Sequence, residues 1–240
     1  MEARVPSRRE RLRAEASQEI KAIALRLMTE GGPSAISLRA IAREMGMTAG
    51  ALYGYYATRD DLVNALIAEI YSALADKEEA ARDAVSEDDP EGRVLAVGEA
   101  FRTWAVGHPE EFQLIYGDPL PGYQAPEGGA AADAEHRACA VLTGLVADAW
   151  PQASKRLSDD GYDWADFDPG FAAVIRGEFP DLPPAAVALA MRVWGRMHGL
   201  VALEVYGHLR PQVLDPGRLY RAELLDLTKT LGITPAGRAR

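Results

Sequence analysis

Residues 37–61 read SLRAIAREMGMTAGALYGYYATRDD, and within them hydroxyls, phenols and guanidinium groups recur at helical spacing. Ser37 and Arg59 suit contacts to phosphate oxygens at the two flanks of the stretch. Thr48 can cap a helix and also reach a phosphate, and the phenols of Tyr53 and Tyr55 reach sideways as donors. Arg39 can offer its fork to a guanine edge or to a phosphate. Ala49, with Gly50, Ala51 and Gly54 around it, lets a backbone come close but brings no hydrogen-bonding side chain. These are groups for holding a polyanion, not for making or breaking bonds.

Bond-making chemistry has little else to stand on. The four histidines, at 108, 136, 198 and 208, show no H-E-x-x-H spacing, and His136 with Cys139 supplies only two ligands. The acidic run from Asp159 to Asp168 lacks the ligand spacing and terminal Glu of a calcium loop and reads as a solvated or capping segment. No G-x-S-x-G, P-loop or G-x-G-x-x-G occurs. The expectation is no catalytic residue, no metal site and no cofactor. The one cysteine excludes an internal disulfide framework and suits a reducing cytoplasm.

The polar groups need elements to position them. Leu38, Ile41, Ala42 and Met45 form the apolar stripe of a short helix with Ser37 at its N-cap. Gly46 stands where a left-handed C-cap belongs. Thr48 caps a second helix, expected over Ala49 to Tyr56, and Thr58 with Asp61 makes a capping-box start for a third. Helix, glycine turn, helix and new cap are the grammar of a helix-turn-helix. Upstream, Ile20, Ile23, Ala24, Leu27 and Met28 mark a first helix ended by Gly31-Gly32-Pro33. Before it, residues 1–16 are an arginine-bearing arm (Arg4, Arg8, Arg9, Arg11, Arg13). Helix is expected to begin near Ser7 or later, and the arm reads either as a segment lying along the phosphates or in a minor groove or as a solvated tail.

The runs S-L-R-x-I-A-R-E-M-G-M-T and L-Y-x-Y-Y-x-T-R-D-D-L resemble the DNA-binding region of the tetracycline-repressor (TetR) family. Tyr55 and Tyr56 stand where that family usually has His and Phe, and Arg59 where it has Lys. The resemblance implies an all-α chain. Residues 1–60 would form an N-terminal arm and helix-turn-helix head, and 61–240 a larger helical body for ligand binding and dimerisation. It implies backbone and base contacts from the aromatic positions of the second helix and a core role for Tyr56. A second, shorter resemblance is Trp194-x-x-x-His198-Gly199, a motif of one C-terminal domain type among such regulators.

Charge follows the same division. Residues 1–60 carry 10 Lys/Arg against 7 Asp/Glu, and the remainder 16 against 29. A basic head on an acidic body suits a protein that touches DNA at one end. No apolar run reaches the length of a membrane span, and the charged start lacks a signal-peptide core, so the expected place is the cytoplasm. In the body, Phe101, Trp104, Phe112, Tyr116, Trp194 and His198 are the large groups available to line an effector cavity. The helices over 183–208 and 217–231 carry stripes spaced three and four apart, suited to a four-helix seam between two copies. The Pro-rich loop 117–129 reads as a lid or as a surface crossing. The resemblance implies a double-stranded DNA operator, a homodimer and a small-molecule effector as partners, with repression released by the effector. The competing reading is a helical ligand-binding or interaction module whose head no longer reads sequence, which the small residues of the second helix keep open.

Overall fold

The computed structural model describes residues 7–126, 128–157 and 161–233. Among them are ten α-helices, two 3-10 turns and no strand. The helices are α1 (Arg8–Gly31), α2 (Leu38–Glu44), α3 (Ala49–Tyr53), α4 (Arg59–Asp83), α5 (Pro90–Gly107), α6 (Pro109–Tyr116), α7 (Ala130–Ala153), α8 (Pro169–Glu178), α9 (Pro184–Val205) and α10 (Pro216–Thr230). The chain divides into two compact units. The first takes residues up to Tyr71 together with His108–Ala134, and the second Ser72–Gly107 together with Glu135 onward.

The first unit is a small core under the helix-turn-helix. Ile20, Ala24 and Met28 of α1 are buried with Ile36, Leu38, Ile41, Leu52, Leu62 and Leu66, the apolar stripes meeting as their periodicity requires. The division does not fall at 60/61, the boundary expected from the sequence. α6 packs on α1 with Phe112 fully buried. The following loop is tied back by Arg59 Nη1, which donates to the Pro121 carbonyl at 3.4 Å, and by a hydrogen bond from the Tyr123 hydroxyl to Asn64.

In the second unit, α10 runs antiparallel to α5. Thr228 faces Glu91, Leu224 seats over Gly98, and Gly217 abuts Arg102. Arg102 joins α5 to α9 through a two-pronged pair with Glu204, 2.7 and 2.5 Å. Leu189, Val193, Met197 and Val201 supply the buried side of α9. The stripe that holds Met191 and Trp194 goes inward only in part: Val187 and Val201 are buried, whereas Met191 and Trp194 are 47% and 44% exposed. A second cluster gathers Ile175, Leu182, Ala186 and Val187 with Trp150, Trp164, Phe167, Phe171 and Phe179. The segment after α7 is therefore more than solvated. Asp163 and Asp168 cap a 3-10 turn and α8, and the aromatics between them are pinned to this cluster. Asp159 and Asp160, Arg4 and the tail 234–240 lie outside the described residues.

Candidate nucleic-acid interface

The geometry of the interface starts at Gly46. Its φ of +66° is the left-handed conformation glycine adopts without steric cost. The amide of Gly46 donates to the Arg43 carbonyl at 3.3 Å, and that of Met47 to Ala42 at 2.8 Å. Those two bonds are a Schellman closure of α2. One residue later Thr48 is extended and its hydroxyl accepts from the Ala51 amide at 3.2 Å, so the cap expected from the sequence is made. Ser37 holds the N-cap position of α2 but makes no side-chain cap bond.

α3 ends at Tyr53, three residues short of the expected Tyr56. Its last amides bond one residue tighter than an α-helix: Gly54 to Ala51 at 3.2 Å and Tyr55 to Leu52 at 2.9 Å. This 3-10 tightening turns the chain out of the helix. α4 then starts on the reciprocal box, Thr58 N to Asp61 Oδ2 at 2.9 Å and Asp61 N to Thr58 Oγ1 at 3.0 Å.

Of the α3 residues only Leu52 is buried; Ala49, Gly50, Ala51 and Tyr53 face outward with Thr48 ahead of them. Tyr53 is 47% exposed, so its phenol is free to meet a partner. Arg39 is exposed on α2 and Ser37 is half-buried. Arg59 is more committed than its type suggests: its Nε donates to the Ile36 carbonyl at 3.0 Å, which fixes the start of α2 to the start of α4. Tyr56 is structural, its hydroxyl 2.8 Å from Ser17 Oγ. Tyr55 is partly covered by Arg13, whose guanidinium carbon lies 5.2 Å from the ring centroid, while Arg13 Nη2 donates to the Gly54 carbonyl at 2.8 Å. The sequence reading leaves Arg8, Arg9 and Arg13 in a charged arm. Extending the helical period of Ile20 back through 17, 13 and 9 is the signal that finds Arg13 and Arg9.

Residues 20–66, which contain the helix-turn-helix and the start of α4, match the family described as bacterial regulatory proteins of the tetR family, and residues 94–227 match the tetracyclin repressor-like C-terminal domain. The chain belongs to the TetR family. Its relatives in that family include the HTH-type transcriptional regulator Rv1816 of Mycobacterium tuberculosis. Rv1816 is 34% identical over 226 residues, which cover 92% of this chain and 93% of the relative. The solved regulatory protein SCO4313 is 30% identical, with a TM-score of 0.72 over 94% of this chain and all of that one. A tetR-family protein from Rhodococcus RHA1 shares the fold at 18% identity, with a TM-score of 0.62 and coverage of 91% of this chain and 98% of that one. This TetR-family chain is a transcriptional regulator, and its helix-turn-helix is the DNA-binding part.

The six residues expected to line an effector cavity separate between the units. Phe112 and Tyr116 meet in the first with their rings tilted, 5.1 Å apart, and Tyr71 is edge-on to Tyr116 at 6.1 Å. Phe101, Trp104, Trp194 and His198 gather in the second. There His198 lies 5.1 Å from Trp194 and 6.4 Å from Phe101, and Phe101 lies 6.4 Å from Trp104. Burial pushes the His198 imidazole below its ordinary value, so it favours the neutral form. Glu78 of α4 is the acid that sequence reasoning missed. It is 8% exposed, and desolvation followed by the like charge of Glu79 pushes its carboxyl up to about 8. Tyr220, 2% exposed, has a hydroxyl with no hydrogen-bond partner among the described residues, and burial pushes its phenol up. Among the described residues no His, Cys, Asp and Glu cluster could hold a metal, and no helix is long and apolar enough to cross a membrane.

Proposed function

We propose that this regulator is a cytoplasmic homodimeric repressor that occupies a near-palindromic operator and leaves it when a small molecule binds the second unit. The observation that carries the DNA reading is the outward face of α3, with Thr48 capping it and Tyr53 half exposed on a turn fixed by Gly46. Ser37, Arg39, Thr48, Ala49, Tyr53, Tyr55 and Arg59 form the contact set, with Ser37, Thr48 and Arg59 toward phosphates. Two heads on successive major grooves would stand about 34 Å apart. The apolar surface left on α9 and α10 supports the dimer: Met191, Trp194, Leu203, Leu219 and Leu225 are each more than a third exposed, a pattern that marks an interface. Phe101, Trp104, Trp194 and His198 are the side chains from which an effector site in the second unit is built, and an effector acts by favouring a state of low operator affinity.

Selection of bound duplexes from a random pool tests this reading. A recovered inverted repeat is the expected result. Recovery of no consensus, with binding that depends only on salt, favours the module without sequence reading, for which the side-chain-poor face of Ala49, Gly50 and Ala51 is the motivating observation.

A further inference from the structure

We infer that the first two turns of α1 are a phosphodiester-binding wall beside α3, with Arg8 and Arg9 as the anion contacts and Arg13 as the residue that positions the recognition helix. The inference rests on the reading of α3 as the helix that meets DNA.

Ser7 starts α1 three turns before its first buried residue. The Ser7 amide donates to Glu10 Oε2 at 2.6 Å and the Glu10 amide to Ser7 Oγ at 3.2 Å. The charged stretch is therefore helix from Arg8 onward, and at 100° per residue positions 9, 13, 17 and 20 fall on one side of it. That side follows the chain around α3. Ile20 is in the core, Ser17 bonds Tyr56, and Arg13 reaches both the Gly54 carbonyl and the Tyr55 ring. A helix end leaves its last carbonyls without intrahelical donors; here the guanidinium of another helix supplies one. The end of α3 and the ring of Tyr55 thus take their position from α1.

Beyond Arg13 the two elements flank an open, shallow cleft of about 620 Å³, with Arg8, Arg9 and Arg13 on one side and Ala51, Gly54 and Tyr55 on the other. Among the described residues none that lines it is acidic. Glu10, the acid nearest in sequence, is committed to the cap. Cations in a first helical turn oppose the helix dipole, at about 0.3–1 kcal/mol each. A sequence chosen for helix stability alone would favour acids there, and Glu10 is one, but Arg8 and Arg9 beside it are not. Local rules broken without local gain point to a ligand, and the chemistry of the wall specifies an anion. The opposite wall is the end of α3, so the anion runs alongside that helix. When α3 enters a major groove, what runs alongside is the sugar-phosphate strand at the groove edge. Ala51 and Gly54 let that strand come close, and the two arginines neutralise its phosphates.

The test uses the full chain and a fluorescent random-sequence duplex, titrated over a potassium chloride series. Substituting both Arg8→Gln and Arg9→Gln should lower the slope of log affinity against log salt by about 2, with a roughly tenfold loss of affinity at low salt. The same variant should melt at or above the wild-type temperature, because the cations opposing the dipole are gone. An unchanged slope in a variant that folds overturns the phosphate wall. Wild-type chain that binds the duplex without salt dependence overturns the reading of α3 itself, a different failure. Arg13→Lys keeps the charge but loses the fork and most of the stacking. It should keep the salt slope and lose several-fold in preference for the selected operator over random duplex; retained preference overturns the positioning role.

Discussion

Tyr53 and Glu78 place opposite demands on their surroundings. The Tyr53 phenol is exposed and adds nothing to the core, so Tyr53→Phe should leave the melting temperature alone. Loss of one hydrogen bond, about 0.5–1.5 kcal/mol, should weaken operator binding about two- to tenfold in an anisotropy titration. Glu78 is the reverse case, a buried acid held neutral. Its folded value of about 8 stands above the ordinary 4.5. The folded chain therefore binds a proton that the unfolded chain has released above pH 4.5. The stability this contributes is complete below the ordinary value, declines as pH rises and is lost above about 8. Glu78→Gln should flatten that decline, removing a pH-dependent loss on the order of a few kcal/mol, as read by urea melts between acid and mildly alkaline pH. Thr48 was legible from its neighbours alone because capping is local chemistry. The burial of Glu78 was not legible, since it depends on helices distant in sequence.

Among the elements, two glycines set geometry for different reasons. At Gly46 a Cβ would meet nothing within 4 Å, so only the backbone matters: φ is +66°. Gly46→Ala should cost about 1–2 kcal/mol from the left-handed conformation alone, read as a lower urea midpoint with an unchanged slope. At Gly98 the backbone is ordinary helix, but a Cβ would come within 2.5 Å of Leu224 Cδ2. Gly98→Ala should push α5 from α10 at about 1–3 kcal/mol, and Leu224→Ala in the same chain should recover part of the loss. Gly46 could be assigned from its place after an apolar stripe. Gly98 could not, because its partner lies more than a hundred residues away. Helix starts were similarly readable wherever a cap marked them. The early end of α3 was not, since nothing in G-Y-Y signals a switch to 3-10 bonding.

For the molecule as a whole, the basic stretch and the acidic remainder were visible in the sequence, as was the all-helical class. How the apolar stripes of α9 divide between core and surface was not. Periodicity marks Val187, Met191 and Trp194 alike, yet Val187 is 1% exposed and Trp194 44%. A chain that leaves Trp194 and Leu203 outward on one helix should associate. Sedimentation should find a dimer at micromolar concentration, and Trp194→Glu with Leu203→Glu should give a folded monomer with greatly weakened operator binding. A monomeric wild-type chain would remove the dimer from the mechanism.

The recognition helix is five residues long, and a single one, Leu52, touches the core. Its turn is closed by backbone bonds and its far end is held through a backbone carbonyl by Arg13. At Gly50 even a new Cβ meets nothing within 4 Å. The four outward positions around Leu52 can therefore mutate with little effect on folding stability. Such a chain can drift toward new operators one substitution at a time, after gene duplication or in a directed library, without compensating changes elsewhere. Libraries at 49, 50, 51 and 53 should yield mostly folded proteins, with altered DNA preference as the main phenotype.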